Sequence, residues 1–181
     1  MKKIFTLLAT AIALVAVSCE KTPIESTATV DLAGQWYVTY QAVDDAGNVI
    51  DDDFNGGYSL ALTFNTSAND TDHIIISDEG NHLGWKAKVP CNLSALTFGS
   101  SEMLPNIEGE TDYHGAGIII SNGKIVKGGA KTPSGMPADS IYFEVTLEDD
   151  YYIGYYSYYE YGDYTHYIVS GYRYTGFAAD E

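Results

Sequence analysis

The residue types that carry out acid, base and nucleophilic chemistry are few in this chain. Its four histidines are His73, His82, His114 and His166. No two of them have the three- or four-residue spacing that pairs side chains on a helix face. A site that includes Asp112 and His114 stays open, because strands can bring distant residues together. No Gly-x-Ser-x-Gly sequence is present, which excludes the nucleophile elbow of the α/β-hydrolases. We predict no catalytic residues, and surface or hydrogen-bonded roles for the histidines.

An acidic stretch begins like a calcium-binding loop. Residues 51–56, Asp-Asp-Asp-Phe-Asn-Gly, place oxygen atoms at loop positions 1, 3 and 5 and a glycine at position 6. The twelfth position is Leu62, where such a loop requires a bidentate glutamate. Leu62 also belongs to an alternating apolar pattern that predicts a strand. We therefore expect a solvated acidic loop, no metal site and no cofactor.

Cys19 follows a short apolar segment. The chain begins Met-Lys-Lys, and the apolar run at 4–17 is too short to span a bilayer and is typical of a signal peptide. Ala16-Val17-Ser18-Cys19 resembles a bacterial lipobox, in which the cysteine thiol is acylated and the preceding peptide bond is cut. This resemblance implies a signal peptide at 1–18 and lipidation of Cys19. It also implies a place in the cell envelope, at the outer membrane or the cell surface.

The rest of the chain divides into a tether and one domain. Residues 19–30 are polar and β-branched with one proline, and they predict a lipidated, flexible tether. Residues 31–181 have a suitable length for a single domain. Cys91 is the other cysteine of the two in the chain, so acylation of Cys19 would leave it without a disulfide partner.

The charge balance limits the partners. Nine basic residues stand against 25 acidic ones, and the formal net charge is −16. Nucleic acid is excluded as a partner, because binding to phosphates needs clustered Lys and Arg. The same charge disfavours docking on anionic lipid, so contact with the membrane is expected through the acyl group at Cys19. We expect a monomer.

Most of the chain after Val30 alternates between apolar and polar residues, as half-buried strands do. Three sets of apolar positions are predicted to face the core: Trp36, Val38, Tyr40 and Ala42; Tyr58, Leu60, Leu62 and Phe64; Ile141, Phe143, Val145 and Leu147. Further strands are predicted at 73–77, 83–89, 93–98, 117–121, 124–127, 151–158 and 164–174. Asn122-Gly123 predicts a hairpin turn between two of them. No helical periodicity is present, so we predict an all-β fold, a barrel or a sandwich, with eight to ten strands.

Tyrosine is concentrated near the C-terminal end. Eleven of the 16 tyrosines lie between Tyr151 and Tyr174, several of them adjacent in sequence. Adjacent residues of a strand point to opposite faces. Inward rings would form an amphipathic lining or fill the core, and outward rings would stack on sugars or on a partner protein.

The two ends of the domain carry the most specific pattern. The first strand contains Gly34-Gln35-Trp36, and the last contains Arg173, which shares a face with Tyr167 and Val169. An inward guanidinium needs acceptors and a flat partner, and an aromatic face with backbone carbonyls supplies both. Pairing the first strand with the last would also remove two exposed sheet edges.

A Gly-x-Trp on the first strand with an arginine on the last resembles the lipocalin and calycin pattern. That resemblance implies a single antiparallel lipocalin-like barrel, closed at one end by Gly34, Trp36 and Arg173. Together with Cys19, the chain resembles a family of secreted bacterial lipoproteins described as lipid-binding and hydrolytic. Function in that family is inferred from the fold more than from chemistry.

Three functions follow as hypotheses. The first is a binding protein whose barrel holds a small apolar or amphipathic, lipid-like ligand. Its ligand-binding residues are predicted to be Tyr40, Tyr58, Phe64, Phe143, Tyr155 and Tyr167. The second is a hydrolase of lipid-like esters, which needs a nucleophile and a base that the sequence does not reveal. The third is a non-catalytic surface protein with a filled barrel that contacts glycans or proteins.

Overall fold

The fold is all-β, as the alternating pattern predicts. A computed structural model describes residues 26–44, 46–80, 83–108, 117–147 and 166–180. The described residues form ten strands: β1 (Gly34–Val43), β2 (Val49–Asp51), β3 (Ser59–Asn65), β4 (His73–Ser77), β5 (Lys86–Asn92), β6 (Thr97–Phe98), β7 (Leu104–Pro105), β8 (Gly117–Lys131), β9 (Pro137–Leu147) and β10 (His166–Arg173). The helical structure within them is one short 3-10 turn, Ala178–Asp180.

The sheet closes on itself through its first and last strands. Antiparallel pairing runs in the order β10-β9-β8-β6-β5-β4-β3-β1, and β1 also pairs with β10. Eight strands therefore make the barrel, while β2 pairs with the end of β1 and β7 pairs with β8. Direct pairing of Trp36 with Arg173 sets the register of the closure. The predicted closed barrel of eight to ten strands is confirmed.

The two ends of the barrel differ, and we name them by their strands. The closed end contains the start of β1 and the end of β10, where Trp36 and Arg173 lie. The mouth contains the end of β1 and the start of β10, where Ala42 pairs with Tyr167. The connection from β4 to β5 lies at the mouth, because Ser77 ends one strand and pairs with Lys86, which begins the next.

The predicted hairpin at Asn122-Gly123 is wrong. Asn122 does have the expected positive φ of 55°, but the chain does not reverse there. Both flanking segments pair with β9, since Ser121 lies opposite Glu144 and Lys124 lies opposite Tyr142. The positive φ accommodates a β-bulge inside one 15-residue strand, β8.

Other predicted strands differ mainly in their limits. The prediction at 73–77 matches β4, whereas the one at 83–89 corresponds to β5 at Lys86–Asn92. Of the segment at 93–98, Thr97–Phe98 is strand and the preceding four residues form a turn. The predicted strand at 151–158 lies outside the described residues. In the part of the chain that the structure describes, no helix has the length and apolar character needed to cross a membrane.

Candidate functional site

The closed end is built around a single tryptophan. The Trp36 side chain is fully buried, and the Arg173 guanidinium lies over its ring with the Cζ atom 4.4 Å from the centroid. The guanidinium also donates hydrogen bonds to the Ala33 carbonyl at 2.9 Å and to Asp139 at 3.2 Å. The flat partner and the acceptors that an inward arginine requires are therefore all present.

Gly34 makes room for this stacking. A Cβ atom at position 34 would collide with the Arg173 guanidinium and would crowd the Trp36 indole at 3.2 Å. The φ of Gly34 is not in the left-handed region, so backbone conformation does not require a glycine there. The close approach of the Arg173 side chain does. Gly34, Trp36 and Arg173 lie together at the closed end of the barrel, where the resemblance to the lipocalin pattern predicted them.

Two further polar groups hold the closed end. The Trp36 Nε1–H donates to the Thr63 hydroxyl at 2.8 Å, and that hydroxyl donates to the Leu32 carbonyl at 2.6 Å. Burial opposes ionisation of Asp139, but its pKa lies below the usual value because the Gly128 N–H, Lys127 and Arg173 stabilise the carboxylate. Sequence reasoning missed Thr63 and Asp139, since neither belongs to the Gly-x-Trp or arginine motif.

The mouth half of the interior is aromatic. Tyr40 and Tyr167 are fully buried and meet edge to face, with their ring centroids 6.3 Å apart. The Phe54 ring comes from the loop between β2 and β3 and lies 5.0 Å from Tyr167. Unlike the other two, Phe54 is only partly buried. This loop residue therefore covers the two tyrosines from the side of the mouth.

A second aromatic group lies beside the first. Phe143 on β9 contacts Trp85 at a centroid distance of 5.9 Å and Phe98 at 6.0 Å. Trp85 and Phe143 are fully buried, and Phe98 is nearly so. The Trp85 residue, which precedes β5, was not among the predicted ligand-binding residues. The sequence could have indicated this residue by its type alone, because it is one of only two tryptophans in the chain.

A buried carboxylate shapes the loop that carries Trp85. Asp78 is 0% exposed, and its carboxylate accepts hydrogen bonds from the backbone N–H groups of Gly80, Leu83, Gly84 and Trp85 at 2.6–3.0 Å. Burial raises the pKa of Tyr40 well above its usual value, and the Asp78 charge raises it further, while the nearby Trp85 indole N–H lowers it. The phenol therefore stays neutral, and the mouth half combines apolar rings with a buried charge.

The predicted ligand-binding residues do not form one lining. Tyr40, Phe143 and Tyr167 face the interior as expected, and each is 0% exposed. A water-sized space beside any of these rings would leave some of its surface accessible, so all three pack directly against other side chains. They belong to a filled region of the barrel, which is one of the two outcomes that the sequence left open. Tyr155 lies outside the described residues.

The inward orientation predicted for Tyr58 and Phe64 is wrong. On β3 the inward positions are Ala61, opposite Trp36, and Thr63, opposite Ile76. Small residues are needed there because the Trp36 indole occupies that part of the interior. Phe64 therefore faces outward, and Tyr58 is 56% exposed.

Outward aromatic rings form a cluster on the outer wall of β1 and β10. The Tyr58 ring lies 6.4 Å from Tyr37 and 5.2 Å from Tyr172, and Tyr37 lies 4.9 Å from Tyr174. The Tyr172 hydroxyl donates to the Asp180 carbonyl at 2.8 Å, so the C-terminal turn covers one side of the cluster. Pairing between β1 and β10 places Tyr37 opposite Tyr172 across the barrel closure, and Tyr58 joins them from the residue before β3.

A hydroxyl, an imidazole and a carboxylate also meet on the outer wall. Thr146 Oγ1 lies 3.2 Å from His166 Nδ1, and Glu144 Oε2 lies 3.8 Å from His166 Nε2. The order of groups is that of a hydrolase triad, but the second distance is longer than a hydrogen bond. Glu144 is held instead by the Tyr142 hydroxyl at 2.8 Å and the Asn122 amide at 2.9 Å.

The carboxylates of the acidic loop accept hydrogen bonds from backbone N–H groups of the same loop. The Asp51 carboxylate accepts the Asp53 N–H at 3.1 Å, and the Asp53 carboxylate accepts the Gly57 N–H at 2.8 Å. These bonds stabilise tight turns between β2 and β3. Within the described ranges, no group of three or more His, Cys, Asp or Glu side chains is arranged to hold a metal ion. Asp112 and His114, which the sequence left open as members of a site, both lie outside the described ranges.

Comparisons with known proteins agree with this architecture. No curated protein is similar to the chain at a significant level. Residues 21–178 match one protein family, described as "Lipid-binding putative hydrolase". The match covers the whole barrel, from the residues before Trp36 to those after Arg173, and a closed β-barrel suits a lipid-binding protein. The chain belongs to this family of lipid-binding proteins.

Proposed function

We propose that this protein is a lipid-anchored binding protein that takes the apolar part of an amphipathic ligand into the mouth half of its barrel. The observation that carries the proposal is the aromatic group Tyr40, Tyr167 and Phe54. Its two inner rings carry hydroxyl groups, and its outer ring belongs to a loop. Such a mixture of apolar surface with a few polar atoms is typical of ligand sites.

Entry of a ligand requires a side chain to move, because the inner rings are fully buried. Phe54 is the best candidate, since it comes from a loop and its ring is only partly buried. The Phe54 N–H donates to the Tyr40 carbonyl at 3.1 Å, and the Asn55 side chain accepts from the Tyr40 N–H at 3.0 Å. Outward rotation of the Phe54 ring leaves both of these bonds intact.

The energetic balance favours long apolar chains. Exposing a phenylalanine ring costs about 1.5–3 kcal/mol, and each buried methylene returns about 0.8 kcal/mol. Roughly two to four methylenes therefore compensate for displacing Phe54, before the cost of association. We expect the affinity for fatty acids to be weak for short chains and to rise steeply with chain length.

Tryptophan fluorescence tests this proposal directly. In residues 20–181 carrying Trp36→Phe, Trp85 at the mouth half is the only indole. Fatty acids of about 6 to 16 carbons contain at least as many methylenes as are needed to compensate for displacing Phe54. Titration with this series should change the Trp85 emission, and the affinity should rise with chain length. The matched Trp85→Phe variant keeps only Trp36 at the closed end, and its emission should not respond.

Phe54→Ala separates displacement of the ring from simple contact. If Phe54 must leave to admit the ligand, the alanine variant should bind long-chain fatty acids at least as tightly as the parent. No spectral change and no thermal shift with any chain length would refute the proposal. A filled barrel that contacts glycans or proteins through its outer wall would then remain.

A lipid-ester hydrolase is the second candidate, favoured by the 3.2 Å contact between Thr146 and His166. Its test is hydrolysis of p-nitrophenyl esters of increasing chain length. Equal loss of activity in Thr146→Val and His166→Phe would support a shared role in catalysis. An absence of turnover, or turnover that both variants retain, would reject this candidate.

The lipid anchor is tested by cell fractionation. Cys19→Ala removes the only thiol that the lipobox resemblance assigns to acylation, so the variant should leave the membrane fraction. A Cys91→Ala variant is the matched control, because Cys91 is a free cysteine on β5 and its loss should not change the fraction. A membrane-bound Cys19→Ala protein would refute the anchoring proposal.

A further inference from the structure

The outer wall contains a groove that is separate from the barrel interior. It has a volume of about 800 Å³ and lies where β5, β6 and β8 meet. Strand β6 is only two residues long, and the floor includes Gly99 and Gly123, which have no side chains. A Cβ atom at Gly99 would meet the Ile120 carbonyl at 2.8 Å. The groove therefore results from a short strand and from glycines that tight packing requires.

The backbone around the groove is already hydrogen-bonded. The Gly99 N–H donates to the Pro90 carbonyl at 2.9 Å, and the Ser100 N–H donates to the Ile120 carbonyl at 2.7 Å. These bonds continue the barrel wall past the end of β6. A peptide that adds a strand needs unpaired backbone groups at an edge, and these positions do not offer them. Recognition in the groove must therefore come from side chains.

Glu144 is the central polar group of the groove. Its carboxylate accepts hydrogen bonds from the Tyr142 hydroxyl at 2.8 Å and from the Asn122 amide at 2.9 Å, one at each oxygen. A carboxylate has about four acceptor positions, so Glu144 can accept further hydrogen bonds from a ligand. Burial and the neighbouring Glu144 raise the pKa of Tyr142 to about 12, which keeps the orienting hydroxyl protonated.

The lining as a whole is hydroxyl- and amide-rich and carries no net charge. Lys124 is its one cation, with Nζ lying 4.9 Å from the centre of the Tyr142 ring, and it balances Glu144. The other polar lining side chains are those of Asn92, Thr97, Ser100, Ser101, Ser121 and Asn122. Pro90 adds apolar surface, and the nearly buried Phe98 lies beneath the floor. On a chain with a net charge of −16, this is a neutral surface with many donors and acceptors.

We propose that this groove binds a neutral sugar. Sugar hydroxyls both donate and accept, which suits a carboxylate held by two donors, an amide and several hydroxyls. The C–H faces of a sugar ring suit the apolar floor. An anionic ligand would meet the overall negative charge of the protein, and a wholly apolar ligand would leave the polar lining unpaired. The volume lies within the range of about 300–1,000 Å³ that is usual for ligand sites.

This site is independent of the lipid site. Tyr142 and Glu144 project outward from β9, whereas Phe143 between them projects into the barrel. A sugar in the groove and a lipid in the mouth half would therefore contact opposite faces of one strand. Failure of either proposal leaves the other unaffected, because the fatty-acid titration and the sugar experiment use different probes.

Saturation-transfer difference NMR tests the groove with named probes. The full chain, extracted in detergent, is mixed with millimolar glucose, galactose, N-acetylglucosamine, lactose and cellobiose. We expect saturation transfer to at least one of these sugars. Glu144→Gln should weaken its binding by about tenfold or more, because a charged acceptor becomes a partly donating amide. Ser121→Trp should abolish binding by filling the groove while it keeps Glu144, Tyr142 and Asn122.

Glu102→Gln is the matched control. Glu102 is exposed and close in sequence to the groove residues Ser100 and Ser101, but its side chain does not line the groove. It removes the same charge as Glu144→Gln and should leave the signal unchanged. Circular dichroism and thermal unfolding confirm that each variant is folded. Absence of transfer to all five sugars, or transfer that folded Ser121→Trp retains, would overturn the proposal.

Discussion

Removing the Trp36 side chain should open a cavity at the closed end of the barrel. The indole is 0% exposed, lies under the Arg173 guanidinium and donates a hydrogen bond to Thr63. Truncation of a buried tryptophan to alanine costs about 3–5 kcal/mol. Because Thr63 keeps its bond to the Leu32 carbonyl, its hydroxyl is not left unpaired, and the loss should come mainly from packing.

Part of this loss should depend on the arginine. The guanidinium lies 4.4 Å from the ring centroid and its side chain is 31% exposed, between the desolvated and the exposed limits for a cation–π pair. We expect a coupling free energy of roughly 0.5–2 kcal/mol between Trp36→Ala and Arg173→Leu. The double variant should therefore be more stable than the sum of the single losses implies.

Urea unfolding of the two single variants and the double variant measures this coupling. Trp85 remains in all of them as a buried fluorescent reporter. Lys124→Leu is the control partner for Trp36→Ala, because Lys124 lies over the distant Tyr142 ring and should show additivity. Additive losses for Trp36 and Arg173 would refute the reasoning and the role assigned to their stacking.

Two more predictions concern the same barrel. Gly34→Ala should lower the free energy of unfolding by about 1–3 kcal/mol, as overpacking does, and urea unfolding in an Arg173→Leu background should show a smaller loss. An equal loss in both backgrounds would mean that the guanidinium is not the obstacle. The Asp180 pKa is lowered from 3.8 to about 2, chiefly by hydrogen bonds from Ser134. The ionised carboxylate therefore adds to the free energy of unfolding in full above about pH 4, and this contribution is lost as the pH falls through about 2. Urea midpoints should therefore fall more steeply between pH 4 and 2 in the parent than in Asp180→Asn, and parallel curves would contradict this assignment.

The sequence by itself determined the fold class and the closure of the barrel. Apolar alternation along β1, β9 and β10 fixes which face is buried, because the side-chain period of a strand is exactly two residues. The Gly-x-Trp on the first strand and the arginine on the last predicted that these strands meet, through their resemblance to the lipocalin pattern. Both signals are local, so no knowledge of the neighbouring strands was required.

Alternation failed on β3 because both faces carry apolar residues. Leu60, Leu62 and Phe64 are larger than Ala61, and the sequence suggested that they fill the core. The structure places Ala61 and Thr63 inward, since Trp36 of the neighbouring strand already occupies that volume. Which face of a two-sided strand is buried depends on the partner strand, and the partner is known only from the tertiary structure.

The same reason explains the bulge at Asn122 and the groove beside it. Asn-Gly tolerates positive φ in a hairpin and in a bulge alike, and only pairing of both flanks with β9 decides between them. Glu144 and Asn122 are 22 residues apart and share no motif, yet the register of β8 and β9 joins them in one hydrogen bond. Local sequence determined the strands and the closing residues of this protein. Strand register decided which side chains fill the barrel and which meet on its outer wall, because register is a relation between distant segments.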